Sequence, residues 1–127
     1  MIRLGYPVVG VADVAAAAVF WTAALNLVES PEGPSDRWRT LVARDGGERV
    51  LGLMHSDSPV ENHPRLHLDL LVDSTAEQRS EVERLVGLGA TRVDWDSYPP
   101  DPDFVVLADP DGNLFCVVDL SRAPSVS

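Results

Sequence analysis

Asp109-Pro110-Asp111-Gly112-Asn113 stands between two apolar runs, Phe104 to Ala108 and Leu114 to Leu120. This is the pattern of a β-hairpin. Proline presets φ at the first corner, glycine takes a left-handed position, and Asp and Asn side chains bond back to the turn backbone. A fainter copy lies upstream, where Thr40 to Arg44, then Asp45-Gly46-Gly47-Glu48, then Val50 to Met54 repeat the order strand, turn, strand. The chain reads as one module written twice.

Working outward from the two hairpins, each is preceded by a strand and a helix. In the first half Tyr6 to Ala12 reads as a strand, with Pro7 near its start where a missing backbone donor is tolerated. Asp13 stands where an N-cap belongs, Val14 to Leu25 follows as a helix with Ala15, Val19 and Phe20 on its buried stripe and Trp21 at the edge, and Asn26 closes it. Pro31 to Ser35 is a loop, and Trp38 to Arg44 with Val50 to His55 form the first hairpin. In the second half Leu66 to Val72 is the strand, and Asp73, Ser74 or Thr75 caps a helix from about Ala76 to Leu88, closed by Gly89. Ala90 to Trp95 is then a strand and Asp96 to Asp103 a proline-rich loop. Module one therefore spans about residues 4–56, the linker 57–65, module two about 66–120 and a tail 121–127, which is expected to be disordered.

The expected fold class is α+β: two βαβββ modules forming a curved mixed sheet around a central pocket, all within a single domain. An open sheet of this size cannot bury both faces. Two copies can pair with helices on the outer faces, which leaves a concave inner face between them.

Composition narrows the function. A chain of 127 residues with 45% apolar content buries a core without staples, and its single cysteine, Cys116, rules out a disulfide framework. The net charge is −10 and every cation is an arginine. Such a surface repels phosphate backbones, so no nucleic-acid partner is expected. No apolar stretch reaches the ~20 residues that span a bilayer. With no charged-then-apolar leader, the expectation is a soluble, cytoplasmic protein with no membrane partner.

Strand alternation selects site residues. Leu68, Leu70 and Val72 form the apolar row that should meet the helix, so His67, Asp69 and Leu71 point into the concavity. A histidine and an aspartate aimed into an apolar cleft need partners, which makes His67 and Asp69 the catalytic candidates. The alternative is a structurally satisfied His67 bonded to Asp69 or Tyr6. Tyr6, Trp38, Trp95 and Phe104 are candidate ligand-binding walls because flat rings lose little entropy on binding, and Met54 adds an adaptable apolar surface. Cys116 is a further lining residue. It reads as core packing or, opposite His67, as one half of a thiolate–imidazolium pair. His55 reads as a surface histidine and His63 as a loop residue with no constellation around it. The Asp109 and Asp111 pair is explained by turn chemistry rather than by calcium.

The pattern resembles the vicinal oxygen chelate superfamily, which includes glyoxalase I, extradiol dioxygenases and bleomycin- and fosfomycin-resistance proteins. The resemblance is carried by Val11-Ala12-Asp13 with Phe20-Trp21 and Leu25-Asn26-Leu27, by His67 to Asp73, by Leu88-Gly89-Ala90-Thr91 and by Asp109 to Cys116. It implies homodimers as well as the fold. It also implies a divalent metal on the inner sheet face, at positions that fall here on Tyr6, on Met54 or Gly52, on His67 and on Cys116. Only His67 is a usual ligand for a hard metal, and Cys116 could serve zinc. The expectation is thus a protein resembling the metal-ligand-depleted, glyoxalase-like members, with no cofactor. It would bind a small organic molecule in its concave pocket, either sequestering it or acting as a lyase or isomerase. The alternatives are a metal-dependent lyase or dioxygenase with an atypical ligand set, and a non-catalytic structural or regulatory module.

Overall fold

The computed structural model describes residues 1–125; the last two positions of the expected tail lie outside the described residues. The contacts divide the chain into two compact units, Met1–Pro59 and the segment from Val60 onward. The first unit runs β1 (Val8–Val11), α1 (Val14–Leu25), β2 (Leu27–Glu29), β3 (Trp38–Ala43) and β4 (Arg49–His55). The second repeats it as β5 (Asp69–Val72), α2 (Thr75–Leu88), β6 (Thr91–Arg92), β7 (Phe104–Ala108) and β8 (Leu114–Asp119). The expected mixed sheet is two open four-stranded sheets, ordered β1-β4-β3-β2 and β5-β8-β7-β6. In each, the first strand lies parallel to the last and the other pairs are antiparallel. The fold is α+β, built of two βαβββ modules.

The deciding turn forms as its chemistry requires. Asp109 N–H donates to Asn113 O at 2.8 Å, Gly112 N–H donates to Asp109 O at 2.9 Å, and Gly112 sits at φ 94°. The Asp109 carboxylate is buried and accepts from the backbone N–H of Asp111 and Asn113. The hairpin is thereby fixed in register, with Leu107 opposite Phe115 and Val106 opposite Cys116.

Helix ends also follow local chemistry. Asp13 accepts from Ala16 N–H, Ser74 accepts from Glu77 N–H, and Asn26 and Gly89 close the two helices at positive φ. The buried side of α1 is Val14, Ala17, Ala18, Phe20, Trp21 and Ala24, whereas Val19 is 73% exposed and Ala15 is also exposed. That corrects the expected stripe. The helix is apolar all round, so hydropathy could not choose its face; the wide Phe20 and Trp21 rings choose it instead.

Several boundaries differ from expectation, with β1 beginning at Val8 and β5 at Asp69 rather than at Tyr6 and Leu66. A short β2 follows α1 at once, because the left-handed Asn26 turns the chain straight into pairing with β3. The strand expected over Ala90 to Trp95 shrinks to two residues. Trp95 N–H bonds back to Val93 O at 3.0 Å, and the Tyr98 hydroxyl accepts the Val106 N–H at 2.8 Å, so a side chain takes a donor of β7 beyond that short strand. Finally, Ser121 to Ser125 is tied down rather than disordered. Ser121 N–H and Oγ donate to Asp119 Oδ1, Arg122 donates to Pro102 O and to Asp101, and Ser125 bonds Asp103.

The helices are joined to their sheets by apolar contact and, for α2, by a buried amide. Helix α1 packs on β2, β3 and β4, above the fully buried Leu41, Leu51 and Leu53. Helix α2 packs on β5 and β8, where buried Gln78 donates from Nε2 to Asp103 O at 3.1 Å and to Val117 O at 3.0 Å. Gln78→Ala removes both bonds and leaves two carbonyls short of a donor. It should cost about 2 kcal/mol, read as a lower urea midpoint at unchanged m-value; an unchanged midpoint would show that the amide contributes nothing to docking α2. Among the described residues, no helix is long and apolar enough to cross a membrane.

Candidate functional site

With one face of each sheet under its helix, the candidate residues gather on the opposite face. In the first unit they centre on Gly52. Val8 pairs with Gly52, Gly10 and Trp38 both pair with Met54, and Thr40 faces Gly52 from β3. A Cβ built on Gly52 would lie 3.0 Å from Trp38 Cη2, 3.1 Å from Tyr6 Cε2 and 3.1 Å from Val8 Cγ2. Only a residue without a side chain lets both rings settle over the strand. Trp38 Nε1 donates to Thr40 Oγ1 at 2.8 Å, which fixes the indole plane. Met54, on the same face, is 45% exposed. Tyr6, Trp38 and Met54 thus form one aromatic and thioether platform.

The second unit gathers the other candidates. Phe104, Val106 and Cys116 form a buried cluster, with Trp95, Val93, Leu114 and Val118 packed against it. Asp69 is the register neighbour of Cys116 across the parallel pair of β5 and β8. Beside this rung lies a narrow crevice of about 10 Å³, lined by Pro64, His67, Trp95, Val106, Leu114 and Cys116 among others. A wider cleft of about 330 Å³ is bordered by Asp69, Asp103, Phe104, Leu120, Arg122 and Ser125 among others.

His67 precedes β5 rather than belonging to it. Its Nε2–H donates to Pro64 O at 2.8 Å. The partner is a linker carbonyl, where the sequence had suggested Asp69 or Tyr6. Asp69 is exposed and accepts a hydrogen bond from the Cys116 thiol. Burial above all, then the charge and hydrogen bond of Asp69 and the charge of Asp103, push that thiol up to about 12. Cys116 therefore stays protonated at neutral pH. This corrects the thiolate–imidazolium reading, since a thiol in an apolar, acidic surrounding is neither nucleophile nor ready metal ligand.

Several participants escaped the sequence. The His63 ring lies against Trp95 with centroids 5.0 Å apart, and its Nε2 bonds Asp96 Oδ1 at 2.9 Å. That hydrogen bond, with a second from Ser97, holds the Asp96 carboxyl below the usual carboxylate range. The linker from Val60 onward belongs to the second unit, and His63 is one of its anchors there. His55 is likewise engaged, bonding Ala12 O and Asp57 Oδ1 at 3.0 Å each. Asp103 is buried beside the wider cleft. Its loop of prolines and aspartates gave no signal of that. Tyr98, against Phe104 at 5.3 Å between centroids, pins the same loop.

The donor set does not suit a divalent cation. No group of three or more His, Cys, Asp or Glu side chains converges to hold a metal among the described residues. At the positions implied by the superfamily, Tyr6 is packed over Gly52, Met54 offers a soft thioether and Cys116 keeps its proton, which leaves His67 as the one usual ligand for a hard metal among the four.

Comparison with known proteins agrees with this architecture. The family model described as "Glyoxalase-like domain" matches residues 7–118. A comparison with curated protein sequences gives no significant match. Among solved structures, a glyoxalase/bleomycin resistance protein/dioxygenase family enzyme from Burkholderia phytofirmans is similar, with TM-score 0.70, 19% identity and coverage of 94% of this chain and 99% of that one. A possible glyoxalase from Bacillus cereus has TM-score 0.67 and 19% identity, with 93% and 99% covered. A mutant of the fosfomycin resistance protein FosX from Listeria monocytogenes, complexed with Mn(II) and 1S,2S-dihydroxypropylphosphonic acid, has TM-score 0.70 and 19% identity, with 97% and 93% covered. At such identities the likeness to these structures speaks for the fold alone. The family model spans nearly the whole chain, and this chain belongs to the glyoxalase-like domain family.

Proposed function

We propose that this protein binds a small organic molecule on the open sheet faces, without a metal. The observation that carries the reading is the rung of Asp69 and Cys116 in the second unit, flanked by a crevice at His67 and Trp95 and by a cleft at Asp103 and Phe104. Apolar area with a few polar groups is the usual make-up of a ligand site. In this reading Trp95, Phe104 and Cys116 border the ligand's surface on the second unit, and the platform of Tyr6, Trp38 and Met54 is a separate aromatic surface on the first. His67 and Asp69 orient the ligand. If it is transformed, the pair acts as acid and base, in a lyase or isomerase reaction. Asp69 and Asp103 repel anions, so the phosphonic acid bound with Mn(II) by the Listeria protein is not expected to bind here.

Thermal-shift screening of aromatic and glycopeptide compounds, on protein purified without chelator, tests the proposal. A ligand present at 100 times its Kd should stabilise by about 2.7 kcal/mol, and His67→Ala or Asp69→Asn should cut that shift by at least half. Elemental analysis of the same protein should find no stoichiometric metal. No shift with any compound would sink the binding reading. One equivalent of zinc, nickel or iron, lost in His67→Ala, would replace it with a metal-dependent lyase or dioxygenase.

A further inference from the structure

The indole Nε1 of Trp95 is buried and finds no acceptor among the described residues. Of the buried side-chain nitrogens and oxygens it stands out, because a buried N–H without a partner costs about 1–3 kcal/mol and is therefore rare in folded proteins. The ring is not loosely placed. It packs on the Phe104, Val106 and Cys116 cluster from one side, and the His63 ring, tied to Asp96, lies against it. The donor is thus held in one orientation, with no acceptor for it among the described residues.

The room beside Trp95 is about 10 Å³, enough for one oxygen-sized atom but not for a ring. Pro64, Val106 and Leu114 line it, and although His67 and Cys116 border it too, the surface it exposes is almost wholly apolar. A water there would find too few polar partners, since an ordered buried water usually makes about three hydrogen bonds. An oxygen that arrives attached to a larger molecule needs only one. The nearby Asp69 carboxylate, set on the neighbouring strand beside Cys116, disfavours an oxygen that carries negative charge.

We propose, resting on the small-molecule reading above, that Trp95 Nε1 is the specificity-determining donor of the site and takes an uncharged carbonyl oxygen of the ligand. The oxygen enters the crevice, while the remainder of the ligand lies over Phe104 and Val106 on the open face. Ketones, amides and neutral esters are the class selected. Carboxylates and phosphonates are rejected.

Three shape-related probes test this: acetophenone, α-methylstyrene, in which a CH₂ group replaces the carbonyl oxygen, and benzoate. Two-dimensional NMR of the indole N–H groups, assigned with Trp95→Phe, reports the donor directly in wild-type protein. Acetophenone should move the Trp95 N–H resonance downfield and bind about tenfold more tightly than α-methylstyrene. Trp95→Phe should erase that difference while leaving α-methylstyrene within about twofold of its wild-type affinity. Equal binding of acetophenone and α-methylstyrene, with the indole resonance unmoved, would overturn the donor role while leaving the general binding proposal standing. Preferential binding of benzoate would overturn the assignment to neutral carbonyls. If none of the three perturbs resonances near His67, Trp95 or Cys116, both proposals fall at this face. Because the NMR measurement uses unmodified protein, a Trp95→Phe variant that folds poorly does not protect the inference.

Discussion

Replacing Gly52 by valine should displace both Tyr6 and Trp38 and lower stability by about 2 kcal/mol. The added Cβ starts 3.0 Å from Trp38 Cη2 and 3.1 Å from Tyr6 Cε2, tighter than most real contacts of that kind, and valine adds two further methyl groups to that crowding. Valine favours strands, which offsets part of the cost. It cannot offset all of it, because Trp38 is held by its bond to Thr40 and cannot rotate away without losing an acceptor. Gly52→Ala should be milder, asking the rings to give by a few tenths of an ångström. The measurements are the thermal midpoint and the near-ultraviolet dichroism of the tryptophans. A Gly52→Val protein with both unchanged would mean that the aromatic platform is not packed as described. In the binding screen this variant should lose ligands that rely on the platform and keep those held at Trp95.

Asp119→Ala should have an effect of comparable size, with a pH signature. The Asp119 carboxylate has no exposed surface and accepts from Thr75 Oγ1 at 2.6 Å, Ser121 Oγ at 2.6 Å and Ser121 N–H at 2.9 Å. It thereby joins the first residue of α2, the end of β8 and the chain beyond it. Hydrogen bonds from Ser121 and Thr75 hold this carboxyl below the usual carboxylate range. Because the folded pKa lies below the unfolded value of about 3.9, the stabilisation is complete well above that value and is lost as pH falls through the folded pKa. At pH 7 the alanine variant should melt at least about 5 °C lower than the wild type. The gap should narrow steadily below about pH 4. A gap as wide at pH 3 as at pH 7 would mean that the contribution is packing, not the ionised carboxylate.

How much of this was legible in the sequence depended on how local the chemistry is. The Asp109 to Asn113 turn, the Asp13 and Ser74 caps and the Gly89 closure are each decided within a few residues, and each could be read directly. The alternation that sent Asp69 to the face opposite Val72 was equally local. The pairing of His63 with Asp96 and Trp95 was not, because it joins positions more than thirty residues apart with no periodic pattern behind it. The shortened β6 depends on the Tyr98 hydroxyl, and the ordered stretch to Ser125 depends on Asp101, Asp103 and Asp119. Those are side-chain to backbone and side-chain to side-chain bonds across the unit. The face of α1 was hidden for a different reason: a helix of alanines and large apolar residues offers no polar side to contrast. For the site, residue types and strand positions selected the candidates. Their grouping into one platform in the first unit and one crevice with an adjoining cleft in the second required coordinates.

In both units the opening strand lies against the closing one, Val8 with Gly52 and Asp69 with Cys116. During synthesis the opening strand must wait for about forty more residues, and closing a loop of that length carries an entropic penalty that hairpins avoid. Hairpin and helix contacts should therefore form early and the parallel rung last. The Asp69 and Cys116 rung on which the proposed site depends then forms late in this unit, so a ribosome-bound chain would assemble that proposed surface only once β8 had emerged.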